Sequence, residues 1–320
     1  MIGKRKVVLV GTGFVGMSMA YAILSQGNAS GVNELVLIDV LKDKAIGEAM
    51  DLCHGLPCSS SHMKIKAGDY DECSDADIVV ITAGLNQKPG QTRLELSEAN
   101  AKIMKDITIQ VVNSGFKGIF LIASNPVDLM TKVVQEVSKF PTSRVIGSGT
   151  TLDTARLRFM VGEYLNVSDK NVHAYIMGEH GDSSFVPWEH AYVGCKKVTD
   201  ILEDAGKSLS DLDKIYVEVR DAAYEIINRK KATYYGIGLG LAKIVRTVMN
   251  DTNEILTVSA YLNNQYGQQD LYIGVPAIIN SNGARELLEL ELSEENQAKL
   301  DASAKILKEN MANIRKALNA

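Results

Sequence analysis

The chain has 320 residues, of which 46% are apolar and 23% are charged, a composition typical of a globular protein with about two domains. This composition excludes a disordered or fibrous protein, and no uninterrupted apolar stretch reaches the length of a membrane span. The formal net charge of -5 argues against a general nucleic-acid-binding protein, which needs a clustered basic face.

The first half of the chain alternates strand patterns with helix patterns. Near-continuous aliphatic runs predict four buried strands, at 7–10, 35–38, 78–81 and 119–122. Buried strands of this kind, separated by helices, are typical of a parallel sheet that is covered on both faces. The predicted fold class is therefore α/β.

A glycine-rich motif, Gly11–Gly16, follows the first strand directly and begins a helical stretch, as in dinucleotide-binding domains of the Rossmann type. Its first glycine permits a tight turn, the second lets the backbone approach a pyrophosphate, and the third lets helix pack close to strand.

Asp39 ends the next strand, where a carboxylate accepts hydrogen bonds from the adenosine ribose. Val40 and Leu41 follow it instead of an arginine, which favours NAD over NADP. The alternative is a glycine turn without a ligand. The expected cofactor contacts here are Gly11, Gly13, Phe14, Val15, Gly16 and Asp39.

Two further motifs lie at the carboxyl ends of predicted strands, where ligands bind in open α/β sheets. Gly84 begins the segment 84–93, whose proline and glycines suit a loop that closes over a substrate and carries Arg93 into the site. An ordinary solvated loop is the alternative. Asn125 follows the fourth strand, and its amide either donates to a substrate or cofactor or only forms a turn.

From about residue 153 the pattern changes to longer helices. Helices are predicted over 153–166, 208–229, 234–250 and 293–318, with two strands at 255–261 and 271–275. The chain is therefore divided into a Rossmann-type NAD domain with a parallel sheet at 1–148 and an α+β catalytic domain at 149–320. The helix near 234–250 is expected to pack back against the first domain.

Three side chains in the second half form a candidate proton-transfer site. Asp153 and Arg156 are three residues apart and so share one helix face. His180 would exchange a proton with a substrate at a pKa near neutrality, while Asp153 orients its ring. Arg156 would hold a carboxylate through two parallel hydrogen bonds. The alternatives are an Asp153–Arg156 salt bridge and a surface histidine without function.

The cysteines and the N-terminal segment bear on the cellular compartment. Lys4–Lys6 and the apolar stretch after them resemble a secretory signal, but glycines interrupt the stretch and no clear cleavage pattern follows. The four cysteines are too few and too scattered for a disulfide framework, and their spacing matches no common zinc site. We therefore expect reduced thiols, no metal and a cytoplasmic location. The cysteines are Cys53, Cys58, Cys73 and Cys195.

Together these motifs resemble those of the lactate/malate dehydrogenase family, and of its bacterial L-lactate dehydrogenases in particular. The resemblance covers essentially the whole chain. It implies NADH-dependent reduction of pyruvate to L-lactate, as in fermentation, by a homotetramer without nucleic-acid or membrane partners. The motifs stand in the family order and are Gly11–Gly16, Gln87–Arg93, Ser124–Asp128, Leu152–Arg156 and Gly178–Asp182.

The resemblance also implies a role for each matched residue of the reaction site. His180 protonates the keto oxygen of pyruvate, and Asp153 holds that histidine. Arg156 clamps the substrate carboxylate. Arg93 polarises the carbonyl group, and Asn125 hydrogen-bonds near the same oxygen.

The remaining matched residues border the substrate and the nicotinamide. Thr233 lines the pocket, Ile237 packs on the nicotinamide, and Gly84 and Asn125 contact the cofactor. Malate dehydrogenases carry an arginine at the position of Gln87, which pairs with a second carboxylate. Glutamine is neutral, so a dicarboxylate would lose its hydration without gaining a counter-charge. Pyruvate is therefore the expected substrate.

Two residues match an effector site of the family. Many bacterial lactate dehydrogenases are tetramers that fructose 1,6-bisphosphate activates, through an arginine and a histidine at the positions of Arg158 and His173. Arg158 lies two residues beyond Arg156, about 200° around the helix, and so points away from the substrate. We hypothesise activation by this sugar bisphosphate; the alternative is that both residues lie on the surface or bind only inorganic phosphate.

Three alternatives to pyruvate reduction remain at this point. The first is another L-2-hydroxyacid dehydrogenase, acting on 2-hydroxyisocaproate or malate. The second is an NAD-dependent glycoside hydrolase, which needs a metal-binding cysteine and histidine near the cofactor, and no such pair stands out here. The third is a non-catalytic NAD-binding regulator, which would tolerate loss of His180 or Arg156.

Overall fold

The computed structural model describes residues 2–85 and 93–319, the side chains at positions 93 and 94 excepted. A parallel sheet fills the first half. Its strands are β1 (Lys6–Val10), β2 (Glu34–Ile38), β3 (Lys64–Ala67), β4 (Ile78–Ile81), β5 (Ile119–Ile122) and β6 (Val145–Gly147).

The strand order of this parallel part places the ligand site. Neighbouring strands run β3-β2-β1-β4-β5-β6, and each adjacent pair is parallel. The chain therefore builds outward from β1 in one direction and then returns to its other side with β4. Ligands bind at such a reversal, outside the carboxyl ends of the strands. This arrangement confirms the predicted α/β class.

Helices cover the sheet and form most of the second half. They are α1 (Phe14–Ser25), α2 (Lys42–Gly55), α3 (Arg93–Asn113), α4 (Val127–Ser138), α5 (Thr151–Leu165), α6 (Val198–Asp204), α7 (Ser210–Lys230), α8 (Tyr235–Met249) and α9 (Glu294–Asn319). The later strands are β7 (Val172–His173), β8 (Tyr192–Val193), β9 (Lys196–Lys197), β10 (Glu254–Asn263), β11 (Gln269–Asn280) and β12 (Gly283–Leu287).

The main sheet continues across residue 148 into the second half. Strands β10, β11 and β12 extend it in antiparallel fashion beyond β6, giving nine strands in all in the described part of the chain. Ser259 of β10 lies opposite Gly147 of β6, where a Cβ atom would come within 2.7 Å of the serine Cβ. The glycine lets the two halves of the sheet approach each other.

A second hydrophobic core lies apart from the main one. It joins α5, α6 and α7 to the small sheet β7-β8-β9, and its fully buried members include Leu157, Val172 and Leu202. Helix α8 instead packs on α1, where a Cβ atom on Gly238 would lie 2.6 Å from Ser18 Cβ. Close helix packing therefore requires this glycine.

The long helices of the second half agree with the sequence prediction, whereas several short strands were not predicted. The predicted helices at 153–166, 208–229, 234–250 and 293–318 correspond to α5, α7, α8 and α9. Strands β3, β6 and β12 and the small sheet were not predicted, because they are short and β3 and β12 carry exposed polar residues. Within the described ranges, no helix has both the length and the apolar character to cross a membrane.

Candidate active site

The glycine loop between β1 and α1 leaves room for a phosphate group. Gly11 has φ +103°, and a Cβ there would lie 2.7 Å from the backbone nitrogen of Ala83. A Cβ on Gly16 would lie 2.2 Å from the Gly11 carbonyl oxygen, so α1 needs this glycine to begin so close to β1. A Cβ on Gly13, in contrast, would meet nothing within 4 Å. No side chain caps the N-terminus of α1, which leaves its N–H groups available to an anion.

Asp39 is held at the end of β2 as an ionised carboxylate. Its Oδ2 accepts hydrogen bonds from the backbone N and the Oγ1 of Thr12, both at 2.8 Å, and Oδ1 accepts one from Leu41 N at 3.0 Å. Burial opposes ionisation, but these donors and the Lys44 ammonium lower the pKa of Asp39 overall. Lys44 also donates to the Thr12 carbonyl at 2.5 Å. Sequence reasoning missed Thr12 and Lys44, which brace the predicted ribose-binding carboxylate.

A buried asparagine ties together the loops after β4 and β5. Asn100 Oδ1 accepts from Leu85 N at 2.8 Å, and its Nδ2 donates to the Asn125 carbonyl at 2.9 Å. The Asn125–Pro126 peptide bond is cis, and the Asn125 side chain is exposed next to this link. Gly84 is exposed, and a Cβ there would lie 3.5 Å from Asn100 Oδ1. Asn100 gave no sequence signal, because a helical asparagine is unremarkable until its distant partners are known.

Two predicted site residues fall outside what the structure describes. Gln87 lies between the described ranges 2–85 and 93–319. Arg93 begins α3, but its side chain is not among those described. Their roles stay predictions.

Asp153, Arg156 and His180 come together beyond the end of β6, on α5 and the loop that follows β7. His180 Nδ1 lies 2.7 Å from Asp153 Oδ2, and Arg156 Nη1 lies 3.1 Å from Asp153 Oδ1. One aspartate therefore holds both partners, one with each oxygen, although the sequence presented the salt bridge as an alternative to the orienting role. The His180 side chain is 30% exposed, so part of its ring faces the open side of the cluster.

The charges around His180 favour its protonated form. Burial alone would lower the pKa of His180, but the carboxylate of Asp153, followed by that of Asp128, raises the pKa to about 9. The expectation of a pKa near neutrality is wrong for this arrangement, because two carboxylates flank one imidazole. In return, burial of Asp153 is outweighed by His180 and Arg156, which lower the pKa of its carboxyl group. The imidazole is therefore charged at neutral pH and ready to donate a proton.

Asp128 is the main residue of the site that sequence reasoning missed. It lies in the first turn of α4, is 2% exposed, and its Oδ2 accepts a hydrogen bond from the backbone N of His180 at 2.9 Å. Its Oδ1 accepts from Ser259 Oγ at 2.5 Å. Burial raises the pKa of Asp128 to about 6. The signal was its place in the Ser124–Asp128 motif, for which no separate role was assigned.

The remaining predicted pocket residues lie around the start of α8. Thr233 and Ile237 are both half-buried, just before α8 and in its first turn. The exposed ring of Phe14, in the glycine loop, stacks on Tyr234 with 5.1 Å between centroids. This stacking joins the segment that carries Thr233 to the loop at the start of α1. Val15 is half-buried beside Phe14.

The predicted effector residues lie together on the far side of α5. Arg158 Nε donates to the Ala174 carbonyl at 3.0 Å, and its guanidinium lies 5.1 Å from the centroid of the Tyr175 ring. Burial lowers the pKa of Arg158. His173 is exposed on β7, next in sequence to the residue that accepts this hydrogen bond. The structure thus brings the two residues into one region, away from the Asp153–Arg156 pair.

Comparisons with known proteins agree on one family. Residues 5–147 match the sequence model for the lactate/malate dehydrogenase NAD-binding domain, and residues 150–318 match that for its alpha/beta C-terminal domain. An L-lactate dehydrogenase 1 of Bacillus cereus is 56% identical over 311 residues, covering 97% of this chain and 98% of the relative.

Solved structures give the same result. A lactate dehydrogenase from a Medee basin deep-sea metagenome library has a TM-score of 0.95 at 51% identity, covering 98% of this chain and 100% of that one. The minor L-lactate dehydrogenase of Enterococcus mundtii, in its ligand-bound form, has a TM-score of 0.93 at 48% identity, covering 97% and 98%.

Proposed function

The chain belongs to the lactate/malate dehydrogenase family as an NAD-dependent dehydrogenase, and from this we propose that it catalyses the reversible reduction of pyruvate to L-lactate. The observation that carries the proposal is the cluster in which Asp153 holds both His180 and Arg156. The relatives named L-lactate dehydrogenase, at 56% identity and near-complete coverage, support the same substrate.

The residues fit the cofactor that the family uses. The space beside Gly13 and the uncapped start of α1 suit the pyrophosphate, and the ionised carboxylate of Asp39 suits the ribose hydroxyls. When bound, NADH supplies the hydride that reduces the keto carbon.

The side chains of the cluster would handle the proton and the substrate carboxylate. His180, protonated at neutral pH, donates its proton to the keto oxygen, and ionised Asp153 stabilises the charged ring before that transfer. Arg156 uses Nη1 for Asp153 and presents the rest of its planar fork to the carboxylate. In lactate oxidation the neutral imidazole accepts the proton back.

Roles for four further residues are part of the proposal. We expect Arg93 to polarise the keto group and Asn125 to hydrogen-bond near it, with Thr233 and Ile237 lining the pocket. Asn125 is supported by its exposed side chain at the carboxyl end of β5, where the Asn100 bond fixes its backbone.

Substrate choice is assigned to Gln87. A neutral amide there offers no counter-charge to a second carboxylate, so oxaloacetate would be bound less well than pyruvate. The test is to compare kcat/KM for pyruvate, 2-oxoisocaproate and oxaloacetate with NADH. Pyruvate is expected to be preferred, and a clear preference for either of the others would assign the chain to another L-2-hydroxyacid dehydrogenase.

A single substitution tests the same assignment. Gln87→Arg should raise the ratio of oxaloacetate to pyruvate kcat/KM by about 100-fold, since a new ion pair in a closed site contributes about 2–3 kcal/mol. Gln87→Met is the matched neutral control and should leave oxaloacetate disfavoured. An unchanged ratio in the arginine variant would remove Gln87 from the specificity argument.

We further propose activation by fructose 1,6-bisphosphate at Arg158 and His173. The proposal is supported by the place of Arg158 on the face of α5 that lies away from the substrate, where it bonds the carbonyl of Ala174, the neighbour of exposed His173 on β7. Phosphates bridging basic groups of two subunits would couple effector binding to assembly. Pyruvate saturation curves with and without the bisphosphate, at several pH values, test it. Curves that coincide at every pH would contradict the idea.

A homotetramer in the cytoplasm completes the proposal. Large apolar side chains are exposed along a groove between α1 and α8, which suits burial against another copy of the chain. The clearest cases are Tyr21, Tyr235 and Leu239, exposed by 65%, 66% and 60%. Sedimentation should show a tetramer that Leu239→Glu dissociates, and a monomer at all concentrations would contradict it. The four unpaired cysteines are compatible with a reducing compartment.

A further inference from the structure

The loop that carries His180 is held by three successive backbone N–H groups. Gly178 N donates to the Gly274 carbonyl of β11 at 3.0 Å, and the reverse bond measures 2.9 Å. Glu179 N donates to Ser303 Oγ of α9 at 2.7 Å. His180 N donates to Asp128 of α4 at 2.9 Å. Three elements distant in sequence therefore fix the backbone just where the imidazole begins.

His180 is consequently held by two aspartates with different tasks. Asp153 accepts from the ring, and Asp128 accepts from the backbone of the same residue. Asp128 is itself anchored, because Ser259 Oγ donates to its second oxygen at 2.5 Å. Ser259 is fully buried and Asp128 is 2% exposed, so these bonds lie in a region of low effective dielectric constant, which strengthens them.

We propose that Asp128 is a positioning residue for the proton transfer, whose carboxylate fixes the backbone of His180 and adds a second negative charge beside the imidazole. The inference rests on the proposed role of His180 as the acid. Asp128 itself exchanges no proton with the substrate, because both of its oxygens are engaged and the side chain is buried.

The charged and titratable groups near this pair come from several elements. Asp153 and Arg156 of α5 act on the imidazole, and Glu179 is the like charge that acts on Asp128. A cavity of about 280 Å³ borders Asp128, and its ionisable lining residues are Lys132, Asp270, Tyr272, Lys308 and Arg315.

Two cations of the cavity, Lys132 and Arg315, lie close to carboxylates of their own, and Lys308 Nζ donates to Gln268 Oε1 at 2.7 Å. Lys132 Nζ is 2.6 Å from Asp270 Oδ1, and Arg315 pairs with both Glu136 and Asp270. Burial raises the pKa of Asp128 to about 6, so above that pH its carboxylate adds a negative charge near His180. That charge helps to keep the imidazole protonated.

Two substitutions separate the geometry from the charge. In Asp128→Asn the amide oxygen still accepts from His180 N, and the amide nitrogen can donate to Ser259 Oγ, but the charge is lost. In Asp128→Ala the His180 N–H loses its partner in a buried site, and the neighbouring cavity grows. Thr131→Val is the matched control, since Thr131 is fully buried on the same helix and donates only to the Val127 carbonyl.

The test measures NADH oxidation with pyruvate by the full chain, over a pH range that includes the pKa values of Asp128, about 6, and His180, about 9. Asp128→Ala should lower kcat by about 10- to 100-fold at neutral pH with little change in KM. Asp128→Asn should keep kcat within about fivefold, but its activity should fall at a lower pH than that of the native chain, by about half a pH unit or more. Thr131→Val should match the native chain in both respects.

Two results would overturn the proposal: an unshifted pH profile in Asp128→Asn, or native kcat in a folded Asp128→Ala. If the alanine variant does not fold, the asparagine variant decides through its pH profile. His180→Asn separates this failure from that of the proposed function. If His180→Asn is inactive while the Asp128 variants behave like the native chain, only the positioning role fails. If His180→Asn remains fully active, the proposed function itself fails.

Discussion

Helix α5 presents two arginines to two different environments. On one face, Arg156 shares Asp153 with His180, and every member of the cluster has a charged partner. On the other face, the described polar partners of Arg158 are the Ala174 carbonyl and the side chain of Tyr175, and no carboxylate is among them. Burial lowers the pKa of Arg158, as expected of a cation without a counter-ion.

The difference teaches what each face is suited to do. A cation that is already paired can position a small anion without being drawn out of place, as a reaction site requires. A partly buried cation without a carboxylate partner carries a positive charge that is not neutralised nearby, so binding of a multiply charged anion would be favourable. The two-residue offset on one helix is enough to separate these environments.

The largest effect on activity is expected on the Arg156 face of α5, from removing the negative charge of Asp153 that His180 and Arg156 share. Asp153→Asn should lower kcat for pyruvate reduction by about 1,000-fold or more, because the amide cannot stabilise the protonated ring and presents the wrong partner to Nδ1. Steady-state kinetics at neutral pH measure this. A folded variant with kcat within about tenfold of native would show that Asp153 is only structural.

A smaller loss of activity is expected when the planar guanidinium of Arg156 is replaced by the ammonium of lysine. Arg156→Lys should lower kcat/KM for pyruvate by about 100-fold, because an ammonium cannot make two parallel bonds while also reaching Asp153. NADH affinity, measured by fluorescence titration, should not change. Equal losses of pyruvate and NADH binding would indicate general damage to α5 instead.

The pairing of His180 should also appear in stability. The pKa of this histidine is raised from 6.5 to about 9, so its contribution to the free energy of unfolding is fully present below pH 6.5 and is lost as pH rises through about 9. The decline should be smaller in His180→Asn. Denaturant unfolding at several pH values measures the difference between the two chains, and parallel curves would contradict the raised pKa.

The smallest effect on kcat without effector is expected on the Arg158 face of α5. Arg158→Gln should leave kcat without effector within about twofold of native, because its contacts do not reach the cluster around His180. The same variant should lose any activation by fructose 1,6-bisphosphate. If basal kcat fell as far as in Arg156→Lys, the separation of the two faces would be wrong.

Local sequence patterns predicted the parts of the site that lie close together in the chain. The glycine loop and the strand before it are neighbours, and Asp153 and Arg156 lie within one helical turn. The chemistry of a proton-transferring imidazole predicted that Asp153 orients His180, family resemblance implied the same, and the structure places the two side chains 2.7 Å apart. The hydrogen bonds of Asp128 were not predicted, because they join it to His180 and Ser259, which lie 52 and 131 positions away in the sequence. Contacts over such distances produce no periodic sequence pattern. The role of Asn100 was not predicted for the same reason.

The continuity of the main sheet was also beyond local patterns. Whether β10 joins β6 depends on a close approach at Gly147, and the glycine alone does not reveal its partner. The raised pKa of His180 was missed because the second carboxylate beside it comes from α4. In each case, the missing information was a contact between distant segments.

The most direct test of the account is the pH dependence of kcat/KM measured in both directions on the native chain. If His180 is the acid held by Asp153, pyruvate reduction should fall as pH rises through about 9, while lactate oxidation should rise over the same interval. Profiles that are flat through this interval, or that change in the same direction for both reactions, would contradict proton transfer by His180.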